Sequence, residues 1–152
     1  MALTSGIRPI SENNGMLREG NMLSHGRSVL VVEDSENNAA MLEIALSDIP
    51  EVTVLVAPSG LEAWRILSGH GASIGAIVTD LNMPHMDGFE LIRRIRADGR
   101  LAATPVLVVS ADTDPSTPRR VAQLGVSAFF AKPFSPAEVR RKLEQILNGT
   151  TE

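Results

Sequence analysis

The chain has 152 residues, of which 43% are hydrophobic and 21% charged, and its formal net charge is −4. These values are typical of one globular domain, and the mild acidity argues against direct binding to nucleic acid through the phosphate backbone. The absence of cysteine excludes disulfides and thiolate chemistry. No apolar run approaches the roughly 20 residues that cross a membrane. We therefore expect a cytoplasmic protein that makes no membrane contact.

The first part of the chain differs in composition from the rest. Residues 1–27 are rich in Gly, Ser and Asn and show no sustained hydrophobic period, which predicts a flexible leader. Two alternatives stay open: a true start at Met16 or Met22, and a leader that docks on the domain. The regular pattern predicts one domain over residues 28–148, followed by a short tail over residues 149–152.

Five short apolar segments predict β-strands. Each has strand length and is rich in Val, Ile or Phe. The segments are SVLVVE, VTVLVA, GAIVTD, TPVLVVS and SAFFAK. Their apolar residues are continuous rather than alternating, which is typical of parallel strands that are covered on both faces.

Helical periodicity fills the spaces between these strands. Apolar residues recur at steps of three and four, which places them on one face of a helix. They are Leu42, Ala45, Leu46 and Ile49; Ala63, Trp64 and Leu67; Leu91, Ile92 and Ile95; and Val139, Leu143, Ile146 and Leu147. The fourth helix has a weaker pattern. It is predicted to begin after Asp114 or after Thr117, because Pro115 and Pro118 bracket its start, and to end at Gly125.

Residue pairs at three helix starts match or resemble the capping box. In that motif a side chain accepts a hydrogen bond from the backbone three residues further on. The pairs are Ser59–Glu62, Asp87–Glu90 and Ser135–Glu138, the last with Pro136 at the first helical position. Strand and helix alternate five times, which predicts an α/β fold with a doubly wound parallel sheet and right-handed crossovers.

Polar residues stand at the carboxyl ends of four of the predicted strands. The first strand ends in Glu33 and Asp34, the third in Asp80, the fourth in Ser110 and the fifth in Lys132. Ligand sites of doubly wound sheets lie at the carboxyl ends of the strands, so we expect these side chains to meet there. Three carboxylates in one crevice repel each other, and a divalent cation relieves that repulsion. Oxygen ligands that leave room for water favour Mg²⁺.

Residues 28–148 resemble the receiver domain of two-component response regulators. The matching segments are VLVVEDSENN, IVTDLNMPHMDGFELI, PVLVVSA and GVSAFFAKPFSPAEV, in the order and spacing of that family. The resemblance implies a flavodoxin-like, three-layer α/β/α fold with five parallel strands in the order 2-1-3-4-5. It also implies a signalling switch rather than an enzyme.

The resemblance implies a role for each residue at the strand ends. Asp80 is expected to accept a phosphoryl group from the phosphohistidine of a sensor histidine kinase or a histidine phosphotransfer protein. Glu33 and Asp34 are expected to hold Mg²⁺ with Asp80, and Asn82 to add its backbone carbonyl. Lys132 is expected to pair with the phosphoryl oxygens. The peptide bond between Lys132 and Pro133 is expected to be cis, as in the family.

The resemblance further implies a switch made by Ser110 and Phe129. The Ser110 hydroxyl is expected to move toward the phosphoryl group, and Phe129 to rotate inward. Many relatives have Tyr at that position, so the phenolic hydroxyl is missing here. The fourth helix, fifth strand and fifth helix are expected to form the output face, which contacts an unknown downstream protein and can form a homodimer.

Several arginines are predicted to be solvated. Arg93, Arg94 and Arg96 are expected on an exposed helix face. The others lie on the two output helices, where a partner contact stays open; they are Arg119, Arg120, Arg140 and Arg141.

One enzymatic alternative uses the same aspartate. A phosphatase of the haloacid dehalogenase type also has an aspartate nucleophile after a strand, but it needs a second acid two residues later. Asn82 occupies that position, and the sequence gives no sign of a cap domain.

No output domain follows Lys132, which favours a stand-alone receiver, although a receiver excised from a longer protein would look the same.

Overall fold

The computed structural model describes residues 27–149, which form a five-stranded parallel sheet between two layers of helices. In chain order the elements are β1 (Ser28–Val32), α1 (Glu36–Ser47), β2 (Thr53–Ala57), α2 (Gly60–His70), a 3-10 turn (Gly71–Ser73), β3 (Ile74–Thr79), α3 (Gly88–Ala97), β4 (Val106–Ser110), α4 (Thr117–Gln123), β5 (Ala128–Ala131) and α5 (Pro136–Leu147). The strand order is β2-β1-β3-β4-β5, which confirms the predicted fold. In the part of the chain described, no helix has the length and apolarity to cross a bilayer.

The predicted boundaries of the domain, residues 28 and 148, stay predictions. The leader, apart from Arg27, lies outside the described residues, and so do residues 150–152 of the tail.

Apolar residues bury both faces of the sheet, as the continuous runs predict. Alternate residues of β1 point to opposite sides, so Leu30 joins the core with α2 and α3, and Val31 joins the core with α1 and α5. Both side chains are fully buried. Burial of a Val or Leu side chain stabilises the fold by about 1.5–3 kcal/mol, so two well-filled cores fix the positions of the strand ends.

The predicted caps form at all three helix starts. Ser59 Oγ accepts from the Glu62 N–H at 3.1 Å, and Ser135 Oγ accepts from the Glu138 N–H at 3.2 Å. The third is Asp87 Oδ1, which accepts from the Glu90 N–H at 2.9 Å. Helix α4 begins at Thr117, between the two predicted points, and Gly125 follows it with a φ of 75°, in the left-handed region that favours glycine.

The prediction that Arg96 is solvated is wrong. Its guanidinium donates to four backbone carbonyls at the amino-terminal side of β4 and β5, which are Leu124, Ala102, Thr104 and Gly125, at 2.8, 2.9, 2.7 and 3.1 Å. Burial lowers the pKa of this guanidinium. Helical periodicity could not reveal these contacts, because the acceptors belong to two distant loops. Arg93 and Arg94 are exposed, as predicted.

We expect Arg96→Lys to lower the free energy of unfolding by about 2 kcal/mol, because an ammonium cannot reach both loops and leaves carbonyls with weaker donors. Urea unfolding measures the change. Arg93→Lys, at an exposed position three residues earlier on α3, is the matched control and should change stability by less than about 0.5 kcal/mol. Equal effects of the two substitutions would contradict a bridging role for Arg96.

Candidate functional site

Acidic side chains meet at the carboxyl edge of the two central strands. The parallel register pairs Val32 with Thr79, the last residues of β1 and β3, so Glu33 and Asp80 follow side by side. The Asp80 N–H continues the ladder by donating to the Val32 carbonyl at 3.0 Å. Carboxylate oxygens of Glu33, Asp34 and Asp80 lie within 4.8 Å of one another. The structure therefore brings together the three acids that the strand pattern selected.

The Lys132 ammonium bridges two of these acids. Its Nζ lies 2.9 Å from Asp80 Oδ2 and 2.9 Å from Glu33 Oε1. The residue follows β5, and its N–H donates to the Ser110 carbonyl at 2.8 Å, which fixes the start of the side chain beside β4. The bond between Lys132 and Pro133 is cis, as predicted. A cation thus enters the acidic cluster from the edge strand.

Backbone donors fix the orientation of the Asp80 carboxylate. Its Oδ1 accepts from the N–H groups of Leu81 and Asn82, at 2.6 and 3.3 Å, while Oδ2 faces Lys132. Asp80 is only 4% exposed. Motif reasoning did not predict these two backbone donors, because any residue type supplies an N–H.

Burial and charge shift two pKa values in this cluster. Burial raises the pKa of the Glu33 carboxyl, and the Asp80 charge adds to this, whereas the Lys132 ammonium and the Ser35 N–H act in the opposite direction. For Lys132, burial alone lowers the pKa, but contacts with Asp80 and Glu33 outweigh it and raise the pKa of the ammonium. Lys132 is therefore a permanent cation at neutral pH.

The oxygen atoms of the cluster fit a divalent metal ion. The buried Glu33 Oε1 lies 2.9 Å from the Lys132 ammonium, which also contacts Asp80. Asp34 is exposed, so this carboxylate faces the solvent side of the cluster, while Glu33 and Asp80 are buried. Hard oxygen ligands with access to water suit Mg²⁺. The residues of the cluster therefore match the predicted ligand set, with Asn82 beside it.

The two predicted switch residues lie near this edge. Ser110 ends β4, is fully buried, and its Oγ accepts from the Asp112 N–H at 3.0 Å. Phe129 lies on β5 opposite Val108 and is half-buried against the core that contains α2 and α3. Sequence reasoning did not select Asp112, because an acid in a loop carries no distinguishing signal.

Glycine at position 88 allows the loop after Asp80 to pack on the strand end. A Cβ there would lie 2.2 Å from the Asp80 carbonyl oxygen and 2.7 Å from Leu81 Cα. The Gly88 N–H also donates to the Leu81 carbonyl at 2.8 Å. This close approach fixes the loop that carries Asn82 against the acidic cluster.

A sequence profile for the response regulator receiver domain matches residues 29–144 of the chain. The chain belongs to the response regulator receiver family. The match covers β1 from its second residue and the other four strands in full. It supports a signalling switch and gives no support to the phosphatase alternative. Four of the positions that resembled the family's motifs lie together at the sheet edge; they are Glu33, Asp34, Asp80 and Lys132.

Relatives of this receiver include small chemotaxis proteins and separate receiver domains. It is 33% identical over 124 residues to chemotaxis protein CheY1 of Helicobacter pylori strain J99, which covers 82% of the chain and 98% of the relative. It is 35% identical to a receiver protein of Pseudomonas putida, with a TM-score of 0.70. The alignment covers 78% of this chain and 95% of that protein. For chemotaxis protein CheY4 of Vibrio cholerae the identity is 29% and the TM-score 0.68, with coverages of 78% and 97%.

Proposed function

We propose that Asp80 accepts a phosphoryl group from the phosphohistidine of a sensor histidine kinase or a histidine phosphotransfer protein. One observation carries this assignment. The Asp80 carboxylate is buried, is oriented by two N–H donors, and is held by Lys132 inside a cluster of three carboxylates. A carboxylate that only balanced the lysine charge would not need Asp34 beside it.

The chemistry is a transfer between two nucleophiles. An Asp80 oxygen forms a bond to phosphorus as the bond from phosphorus to the histidine nitrogen breaks, and the histidine takes up a proton. Such transfer depends mainly on position and on charge neutralisation. Lys132 offsets the charge on the phosphoryl oxygens. Glu33, Asp34, Asp80 and the Asn82 carbonyl would hold Mg²⁺, which would supply further positive charge when bound. Water later hydrolyses the acyl phosphate, which makes the signal transient.

The switch then acts through Ser110 and Phe129. Phosphorylation adds close to two negative charges and strong acceptor oxygens. The Ser110 hydroxyl can donate as well as accept, and it turns from the Asp112 N–H to the phosphoryl group. Phe129 then rotates toward the space that the hydroxyl leaves. The phosphoryl group in this way shifts an equilibrium between two existing arrangements.

The output face comprises α4, β5 and α5. A hollow of about 320 Å³ lies on it between β5 and α5. The lining residues are Ala128, Phe129, Phe130, Glu138, Arg141, Lys142 and Gln145. Aromatic side chains beside cations suit a downstream protein partner, or a second copy of the receiver in a homodimer.

Incubation with acetyl phosphate and Mg²⁺ tests the assignment of Asp80. We expect intact-mass measurement to show one added phosphoryl group on the wild type and none on Asp80→Asn, because an amide cannot form the acyl phosphate. Chelation of Mg²⁺ should abolish the addition to the wild type. Asp87→Asn, which changes an exposed carboxylate of the same loop, is the matched control and should be labelled like the wild type. Equal labelling of Asp80→Asn would overturn the proposal, and turnover of a generic phosphate ester would point to the phosphatase instead.

A further inference from the structure

Helix α5 ends on an asparagine that is followed directly by a glycine. Asn148 is the C-cap residue of α5, and Gly149 has a φ of 74°, in the left-handed region. Asn148 is exposed, and a Cβ at Gly149 would meet no described atom within 4 Å. Because glycine has no side chain, the Asn148 side chain can approach the Gly149 backbone nitrogen. The other asparagines of the described residues precede residues with side chains; they are Asn37, Asn38 and Asn82.

An asparagine in this position can lose ammonia without an enzyme. The Gly149 nitrogen forms a bond to Asn148 Cγ, the bond from Cγ to the side-chain nitrogen breaks, and ammonia leaves with the proton of the Gly149 N–H. Water then opens the succinimide ring. Opening at Cγ gives aspartate, and opening at the backbone carbonyl carbon gives isoaspartate. Either product has a carboxylate where Asn148 had a neutral amide, and water is the only co-reactant.

The last turn of α5 has to open before this attack. The Gly149 N–H donates to the Ile146 carbonyl at 3.2 Å, and the Asn148 N–H donates to the Glu144 carbonyl at 3.0 Å. Helix α5 has no basic residue in its last turn, so its own sequence places no cation beside the terminal carbonyls. The end of a helix opens more readily than its centre. Opening of this turn alone exposes the reacting atoms while the rest of the domain stays folded.

A cation from another part of the chain lies beside Asn148. Arg27, immediately before β1, donates from Nη2 to Asn148 Oδ1 at 3.3 Å. Its second terminal nitrogen, Nη1, is buried and has no hydrogen-bond partner among the described residues. An amide offers one oxygen to this guanidinium, whereas a carboxylate offers two oxygens and the opposite charge. The surroundings of position 148 therefore suit the product of the reaction better than the asparagine.

We propose that Asn148 is a site of spontaneous deamidation, and that Arg27 holds the carboxylate of the aspartate product. A negative charge at the carboxyl end of a helix is unfavourable by itself, because the carbonyl ends of the peptide dipoles point there. The Arg27 guanidinium offsets that cost, and its Nη1 gains the partner that it lacks. The modification thus converts a hydrogen bond between α5 and the start of β1 into an ion pair. This inference is independent of the proposed function of Asp80.

Peptide mapping of the aged full chain tests the reaction. Trypsin releases residues 143–152, which contain Asn148, and residues 28–65, which contain Asn37 and Asn38 and serve as the internal control. Relative to fresh protein digested in parallel, we expect the mass of peptide 143–152 to rise by the difference between water and ammonia. The rise should be faster at higher pH, because the attacking nitrogen must lose its proton. Asn148→Gln, which has to form a larger ring, should stay unchanged. An unchanged peptide 143–152, or an equal change in peptide 28–65, would overturn the proposal.

Asn148→Asp tests the role of Arg27, because it places the product carboxylate at the same position. We expect it to raise hydrogen-exchange protection of the last-turn amides of α5 about 2- to 5-fold, the range of an exposed ion pair. In the Arg27→Met background it should lower that protection, because the helix dipole then acts on an unpaired charge. Arg141→Met, which removes an exposed charge from α5, is the matched background and should respond like the wild type. A change in the same direction with and without Arg27 would refute the pairing.

Discussion

Lys132→Met is expected to slow phosphorylation of Asp80 by acetyl phosphate about 100-fold, the usual cost of losing one donor that stabilises developing charge. The ammonium lies 2.9 Å from both Asp80 Oδ2 and Glu33 Oε1, and no part of a methionine can replace that charge. The rate is measured as the appearance of the phosphorylated mass with time. Lys142→Met, which removes the only other lysine of the chain, is the matched control and should react at the wild-type rate.

The same substitution is expected to lower the free energy of unfolding by about 3 kcal/mol in the absence of Mg²⁺, because it leaves buried carboxylates without their counter-ion. The Glu33 side chain is fully buried and that of Asp80 is 6% exposed, so water replaces little of the lost charge. Mg²⁺ should then stabilise the variant more than the wild type, since it meets a more negative cluster. Urea unfolding with and without Mg²⁺ measures both effects. An equal response of the two proteins to Mg²⁺ would show that the metal does not bind among these acids.

Gly88→Ala is expected to lower the free energy of unfolding by about 2–3 kcal/mol, the upper part of the range for overpacking in a tight site. The added methyl group would lie 2.2 Å from the Asp80 carbonyl oxygen and 2.7 Å from Leu81 Cα. Both are backbone atoms, so a rotamer change cannot relieve the clash and the loop after β3 must shift. Since Asp80 Oδ1 accepts from the Leu81 N–H, phosphorylation of Asp80 should slow as well.

Gly69→Ala is the matched control for this prediction. Gly69 lies within α2, and a Cβ there would meet no atom within 4 Å. Alanine loses less backbone entropy than glycine on folding, so this variant should gain about 0.5–1 kcal/mol. Urea unfolding measures both variants. If the two substitutions changed stability in the same direction, the close approach at Gly88 would not govern its effect.

Much of the fold could be predicted because each element has its own local signal. The runs around Val31 and Val108 are apolar on every residue, and the structure buries both faces of their strands. The caps at Ser59 and Ser135 form because a hydroxyl and the amide three residues on are brought together by the helix itself. The start of α4 could not be fixed from the sequence, since Ser116 makes no side-chain cap there and Pro118 is compatible with more than one start.

Part of the candidate site could be predicted for a different reason. Glu33, Asp34 and Asp80 follow directly after strands, and parallel strands end at one edge whatever fills the core. The role of Arg96 and the contact of Arg120 with Phe89 had no such signal. In each case the partner lies on another element, and an arginine in a helix has the same pattern whether it faces water or a neighbour.

By itself, the sequence determined the alternation of strands and helices and the chemistry at each strand end, because both are local properties of short segments. Only the tertiary structure decided that Lys132 reaches Asp80, 52 residues away, and Glu33 as well. It also decided that Gly88 packs on the Asp80 backbone and that Arg120 covers Phe89. Such contacts depend on strand register and helix packing, which distant residues set together through the two cores.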